Sequence, residues 1–90
     1  MNKPELVNAI AEKTGLNKKD SERAVNALVE SISEALARGD KVSLVGFGTF
    51  EVRTRQARTG RNPRTGQTLT IPAAKVPAFK PGKQLRDMVK

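Results

Sequence analysis

Five arginines, Arg53, Arg55, Arg58, Arg61 and Arg64, fall within twelve residues that contain no carboxylate. A segment with no counter-charge of its own projects into solvent, where only an external polyanion neutralises it. Removing it from the core leaves roughly 70 of the 90 residues to build the body, a size at which a single core is marginal. The chain has no cysteine and no histidine, so neither a disulfide nor a zinc site can staple it. Oligomerisation is the remaining source of stability.

The first half of the chain reads as helix. Asn2 is placed to cap a first helix, and Pro4 suits its first turn, where a missing N–H costs nothing. Leu6, Val7, Ile10 and Ala11 share one face, and Gly15 is a stop. Asn17 opens a second helix, with Asp20 three residues on as a capping-box-like partner. Ala24, Val25, Leu28, Ile32, Ala35 and Leu36 keep the 3.6 period through Arg38; Val29 widens the stripe and Gly39 ends it. About 21 residues at 1.5 Å rise make a rod of roughly 30 Å. Its apolar face exceeds what one short helix can cover, so a second copy of the chain is the expected partner.

After Gly39-Asp40 the period becomes 2. Val42 and Leu44 alternate with Lys41 and Ser43, Gly46-Phe47-Gly48 is a turn, and Phe50, Val52 and Thr54 then face away from Glu51, Arg53 and Arg55. The apolar face fades beyond Arg55. Asn62-Pro63 and Thr65-Gly66 are turn dipeptides, and Leu69 and Ile71 mark a returning strand that leaves regular pairing at Pro72. The flanking strands favour a hairpin arm over a disordered loop. Lys75–Lys80 reads as a short extended piece holding Val76 and Phe79, and Pro81-Gly82 precedes a short helix with Leu85, Met88 and Val89 inward. The expected fold is α+β: two N-terminal helices, a three-stranded antiparallel sheet with an extended β-hairpin arm, and a short C-terminal helix, assembled as an intertwined dimer. It is one domain, 1–90, with residues 1–52 and 74–90 as the dimerisation body and 53–73 as the arm.

Charge follows this division. Residues 1–52 carry seven Lys/Arg and eight Asp/Glu, net −1, whereas residues 53–90 carry ten Lys/Arg and only Asp87, net +9. A basic face of this kind is the electrostatic footprint of nucleic-acid binding. Enzymatic chemistry is poorly supplied. No histidine is present to act as a general base near neutral pH. Asp20, Glu22, Glu30 and Glu34 fall on a solvated helix face, and Gly46-Phe47-Gly48 is too short for a phosphate loop. No catalytic residue, metal, cofactor or small-molecule substrate is expected. Met1–Glu5 lacks the apolar stretch of a signal peptide, and no apolar run is long enough to span a membrane.

Among binding modes, a helix-turn-helix needs a cationic reading helix, and the second helix mixes Asp20, Glu22, Glu30 and Glu34 with Lys18, Lys19, Arg23 and Arg38. A single-strand or RNA platform relies on aromatic stacking, and neither Tyr nor Trp is present. The remaining mode is a ribbon that tracks duplex DNA. An arm strand of about eight residues at 3.3 Å reaches roughly 25 Å, and arginine suits the strong potential of a narrow minor groove. Alternation places Arg53, Arg55 and Arg61 on one side and Arg58 and Arg64 on the other, so the ribbon must twist to use all five. Pro63, at the tip, reads both as a turn proline and as an apolar wedge for a base step.

The run Gly46-Phe47-Gly48-Thr49-Phe50-Glu51-Val52-Arg53, with Arg58-Thr59-Gly60-Arg61-Asn62-Pro63-Arg64-Thr65-Gly66, resembles the signature of the bacterial HU/IHF family of histone-like proteins. The ending Ala74-Lys75-Val76-Pro77-Ala78-Phe79-Lys80-Pro81-Gly82-Lys83 is similar to the same family, and the resemblance covers the whole chain. HU and IHF are themselves the established examples of minor-groove architectural binding. The resemblance implies a cytoplasmic, nucleoid-associated protein that bends and compacts double-stranded DNA, preferring bent, nicked or flexible duplex. It implies a homodimer, or a dimer with a paralogous subunit, carrying two β-arms. Pro63 would intercalate; Arg53, Arg55, Arg58, Arg61, Asn62 and Arg64 would line the groove. Lys3, Lys75, Lys80, Lys83 and Arg86 would meet flanking backbone, Lys83 at a helix start where anions bind. Phe47, Phe50, Phe79, Leu28, Ile32, Leu36 and Leu44 would form the dimer core. The length of 90 residues fits the HU branch, with little sequence preference; an IHF-like site-specific bender and a basic RNA-binding structural protein are the alternatives.

Overall fold

A computed structural model describes all 90 residues. The chain divides into two compact units, Met1–Glu34 and Ala35–Lys90. The first holds helix α1, Lys3–Thr14, and most of helix α2, Lys18–Ala37. Both starts are capped as their sequences predict. The Asn2 side chain accepts from the Glu5 N–H at 3.0 Å, and the Asn17 side chain accepts from the Asp20 N–H at 2.7 Å. The reciprocal half of the second capping box is not made; the Asp20 carboxylate faces Arg23 at 3.9 Å instead. An aspartate is a methylene shorter than the glutamate that normally completes the box.

The ends of the helices are equally local. The Gly15 N–H bonds the Ala11 carbonyl at 2.9 Å to close α1. At the end of α2 the Asp40 N–H reaches the Ala35 carbonyl and the Gly39 N–H reaches that of Leu36, a Schellman closure. The buried positions on the helices are few: Val7, Val25, Ala35 and the fully buried Ser21. Leu28 is 54% exposed and Val29 58%. No helix is long and apolar enough to cross a membrane.

The second unit contains strands β1, Val42–Leu44; β2, Gly48–Arg55; β3, Arg58–Arg61; β4, Thr68–Ile71; and β5, Ala74–Pro81, followed by helix α3, Lys83–Val89. β1, β2 and β5 form an antiparallel sheet with β2 central, and β3 and β4 form a separate two-stranded ladder. The short piece expected at Lys75–Lys80 is a full eight-residue strand that pairs with β2 from Gly48↔Pro81 to Arg55↔Ala74. Pro77 and Pro81 obscured it, yet both are tolerated because β5 is an edge strand.

Aromatic packing fixes the sheet's inner end. Phe50 and Phe79 are directly paired, with ring centroids 4.8 Å apart, and Phe47 packs against Phe79 at 5.2 Å with the rings tilted by 44°. Gly48 makes this approach possible. A Cβ there would lie 2.5 Å from the Lys80 carbonyl oxygen and 2.6 Å from the Phe79 ring, at a backbone φ of 155°. The same turn docks α3. The Gly82 N–H bonds the Phe47 carbonyl at 2.8 Å and the Leu85 N–H bonds that of Gly46 at 3.3 Å. Only Leu85 turns inward; Met88 and Val89, expected inside, are 83% and 76% exposed. Leu85, Met88 and Val89 share one face of α3 by their i, i+3, i+4 spacing, and within the single chain only the first of them is covered.

Candidate nucleic-acid interface

The basic segment is an ordered hairpin. Arg58↔Ile71, Thr59↔Thr70, Gly60↔Leu69 and Arg61↔Thr68 are the pairs of the β3–β4 ladder. These continue the register of β2 and β5 without a bulge, so one hairpin runs from Gly48↔Pro81 to Arg61↔Thr68. The stretch from Arg53 to Arg61 spans about 26 Å at 3.3 Å per residue. Gln56 and Ala57 on one side, and Pro72 and Ala73 on the other, are unpaired.

The tip is closed by its own hydrogen bonds. The Asn62 N–H bonds the Gln67 carbonyl and the Gly66 N–H bonds the Asn62 carbonyl, both at 2.8 Å. The Asn62 side-chain carbonyl accepts from the Arg64 N–H at 2.8 Å, and the Thr65 hydroxyl accepts from the Gln67 N–H at 3.3 Å. Asn62 therefore shapes the tip, bracketing Pro63, which is exposed at the far end of the hairpin. An Asx turn followed by a left-handed Gly66 is what an Asn-Pro-Arg-Thr-Gly string encodes locally.

The arginines fall into two groups. Arg53 does not wait for an outside partner: its Nε and Nη2 both meet Glu51 Oε1 at 3.1 Å. Lys41 Nζ approaches the other Glu51 oxygen at 3.9 Å. The expectation that only an external polyanion neutralises the segment is thus corrected at its first residue. Glu51 lies just outside the acid-free window, and two-residue spacing on a strand puts it on the same face as Arg53. The side chains of Arg55, Arg58, Arg61, Arg64 and Lys75 make no ion pair or hydrogen bond within the chain, and all are exposed. Four guanidiniums and an ammonium on one ribbon thus stand without counter-charge.

The distal ladder has two unlike faces. Arg58, Gly60, Leu69 and Ile71 share one side, with Ile71 covering Gly60; Thr59, Arg61, Thr68 and Thr70 share the other. At the unpaired residues these parities converge. A cavity of about 490 Å³ is lined by Arg55, Ala74 and Val76 from one parity and by Arg58 and Ile71 from the other.

The remaining cations lie on other elements. Lys3 is the first residue of α1; Lys80 is in β5, paired with Thr49; Lys83 opens α3 and Arg86 lies within it. The start of α3 is only partly available to an anion, since the Leu85 N–H is already bonded to the Gly46 carbonyl. Of the apolar set, Phe47, Phe50 and Phe79 form one cluster. Phe47 is 45% exposed, Leu44 39% and Phe79 37%, while Ile32 and Leu36 are half-buried.

Comparison with known proteins gives a consistent picture. The profile of the family described as bacterial DNA-binding protein matches residues 1–90. DNA-binding protein HU of Geobacillus stearothermophilus is 66% identical over 90 residues, covering all of both chains. DNA-binding protein HU 1 of Bacillus subtilis is 60% identical, covering 99% of this chain and 97% of that one. Among solved structures, Anabaena HU in a cocrystal with DNA is 54% identical, with a TM-score of 0.89 and coverage of 99% and 97%.

Proposed function

Since the chain belongs to the bacterial DNA-binding protein family, we propose that it is an architectural protein, not an enzyme, that binds and bends double-stranded DNA with little sequence preference. The observation that carries this reading is the ribbon of Arg55, Arg58, Arg61, Arg64 and Lys75, unpaired within the chain and ending in an exposed Pro63. Such a ribbon requires a polyanion long enough to meet every charge, which a duplex supplies. Each neutralised phosphate releases condensed counterions, so affinity arises without base reading. Pro63 enters a base step as a wedge, and the larger protein surface that a bent duplex wraps offsets the cost of bending. Relatives named HU, and an HU fold neighbour crystallised with DNA, support the same partner.

The active species is a homodimer. Leu28, Val29, Leu44, Phe47 and Phe79 leave large apolar side chains open on a chain whose buried core is Val7, Val25 and Ala35. A second copy covers them and sets two arms around one duplex. Residues 53–73 act as the arm and the remainder as the body, with Lys3, Lys80, Lys83 and Arg86 meeting flanking phosphates. The location that follows is the nucleoid.

Titration of fluorescent nicked duplex, intact duplex and structured RNA of equal length tests this, alongside sedimentation of the free protein. Tight binding to both duplexes, strongest for the nicked one, by a species of twice the chain mass is expected. Preference for RNA, or a lone protomer, overturns the reading.

A further inference from the structure

The hairpin sets arginines against aliphatic side chains. Its register pairs Arg53 with Val76, Arg55 with Ala74, Arg58 with Ile71 and, next along, Gly60 with Leu69. Directly opposed residues point to the same face of a ladder, so each of these guanidinium stems rises beside a hydrocarbon group. The aliphatic positions carry no hydrogen-bonding side chain; Thr68, Thr70 and Lys75, which alternate with them along the returning strands, face the other way. The row is also uncovered. Leu69 is 48% exposed and Ile71 41%, Ala74 is exposed and Val76 half-buried. Gly60 sets no side chain against Leu69, and Ile71 Cδ1 lies 3.5 Å from the place its Cβ would take. Ile71, Ala74 and Val76 line one cavity with Arg55 and Arg58, so cation and hydrocarbon open onto the same space.

We infer that Leu69, Ile71, Ala74 and Val76 form a sugar-reading row that makes the arm select deoxyribose over ribose. The inference rests on the duplex-binding reading above. Charge alone does not separate the two polymers, since both carry the same phosphates. Each phosphate of a strand adjoins a sugar, so a guanidinium on the phosphate brings the aliphatic group opposite it onto that sugar. The groove edge of a deoxyribose is hydrocarbon, and covering it with the row frees water at no polar cost. A ribose places its 2′-hydroxyl in the minor groove. Pressed against Ile71 or Val76, that hydroxyl loses its water and meets no partner, at a cost of about tenfold in affinity for each one buried. The other face of the ladder, with Thr59, Thr68 and Thr70, offers hydroxyl partners and carries no such penalty. The arginines thus supply affinity and the aliphatic row supplies the choice of sugar.

Three nicked duplexes of one sequence test this: all-deoxy, one with ribonucleotides at about every third position, and one with 2′-fluoro nucleotides at the same places. The fluoro sugar shares the pucker of ribose but has no hydroxyl to donate. Fluorescence anisotropy at one salt concentration gives the affinities of the parent protein, of Ile71→Thr with Val76→Thr, and of Arg58→Ala. Threonine keeps the β-branch that suits a strand and adds a hydroxyl partner. The parent should bind the ribo-substituted duplex about tenfold or more weakly than the all-deoxy one, and the fluoro duplex like the all-deoxy one. The threonine variant should bring the deoxy-to-ribo ratio within about threefold, whereas Arg58→Ala should weaken both and keep the parent ratio. Equal affinity of the parent for the deoxy and ribo duplexes overturns the row. A fluoro duplex bound as weakly as the ribo one also overturns it, because groove shape is then what the protein reads. A threonine variant that weakens both duplexes by the same factor leaves the row as packing for arginine stems, and a ratio lost equally in Arg58→Ala assigns the choice to the cation; either result refutes the inference. If the double variant does not fold, Ile71→Thr alone, at a 41% exposed position, decides by the same ratio. Failure of the parent to bind the all-deoxy duplex overturns the duplex-binding reading itself.

Discussion

The count of uncompensated charges makes the salt dependence of binding calculable. Arg55, Arg58, Arg61, Arg64 and Lys75 are unpaired in each protomer, whereas Arg53 is already held by Glu51. If a dimer sets all ten on phosphates, log K falls against log salt with a slope of about −9. Arg58→Ala with Arg61→Ala removes four of them, so the slope drops to about −5.4. At 0.1 M salt each lost contact is worth about tenfold to the power 0.9, which makes the double variant weaker by roughly 4,000-fold. Both side chains are exposed and contact no carboxylate, so stability should move by no more than about 0.5 kcal/mol. Fluorescence anisotropy titrations from about 50 to about 400 mM salt, a range that brackets physiological ionic strength, give the slope. Thermal denaturation checks the fold. Arg53→Ala serves as the internal contrast: its guanidinium is shared with Glu51, so its slope changes by less than one contact. A double variant that binds more weakly but keeps the parent slope refutes the counterion argument, and an Arg53→Ala effect equal to that of Arg58→Ala refutes the division of the arginines.

Other perturbations separate tip, core and turn. Pro63→Ala should lower the DNA bend angle while costing little affinity, because the tip's hydrogen bonds come from Asn62, Gly66 and Gln67 and survive the change; equal FRET bend angles count against the wedge. Ser21 is wholly buried and its hydroxyl has no partner. Ser21→Ala should therefore stabilise the protein by about 1 kcal/mol in urea denaturation, with duplex affinity unaltered; a loss of stability contradicts the unsatisfied hydroxyl. Gly48→Ala forces a Cβ against the Lys80 carbonyl and the Phe79 ring. It should cost about 2 kcal/mol or more, and a neutral result shows that the sheet end can relax.

Much of this was legible because its causes are local. Asn2 and Asn17 cap the helix starts, Gly15 and Gly39 close the ends, and Asn62 through Gly66 folds the tip with its own side chains. Each of these depends on residues within a few positions of one another. The charge of the arm was equally plain, since a run without carboxylates is visible in one dimension. Reading failed where the partner was distant. β5 pairs with β2 across a long stretch of intervening chain, and its prolines disguise it until its edge position is known. Met88 and Val89 share a face with Leu85, but within the single chain only Leu85 is covered.

The amino-acid order alone settled where helices begin and end, where the hairpin turns and which half of the molecule carries positive charge, because caps, turns and net charge are short-range or additive properties. Tertiary structure alone decided that Glu51 takes Arg53, that Ser21 is sealed from water, and that the hairpin is interrupted at Gln56-Ala57 and Pro72-Ala73 without losing register. Those outcomes depend on which side chains and strands face each other in space, and pairing across a sheet or burial between helices is a property of two segments at once.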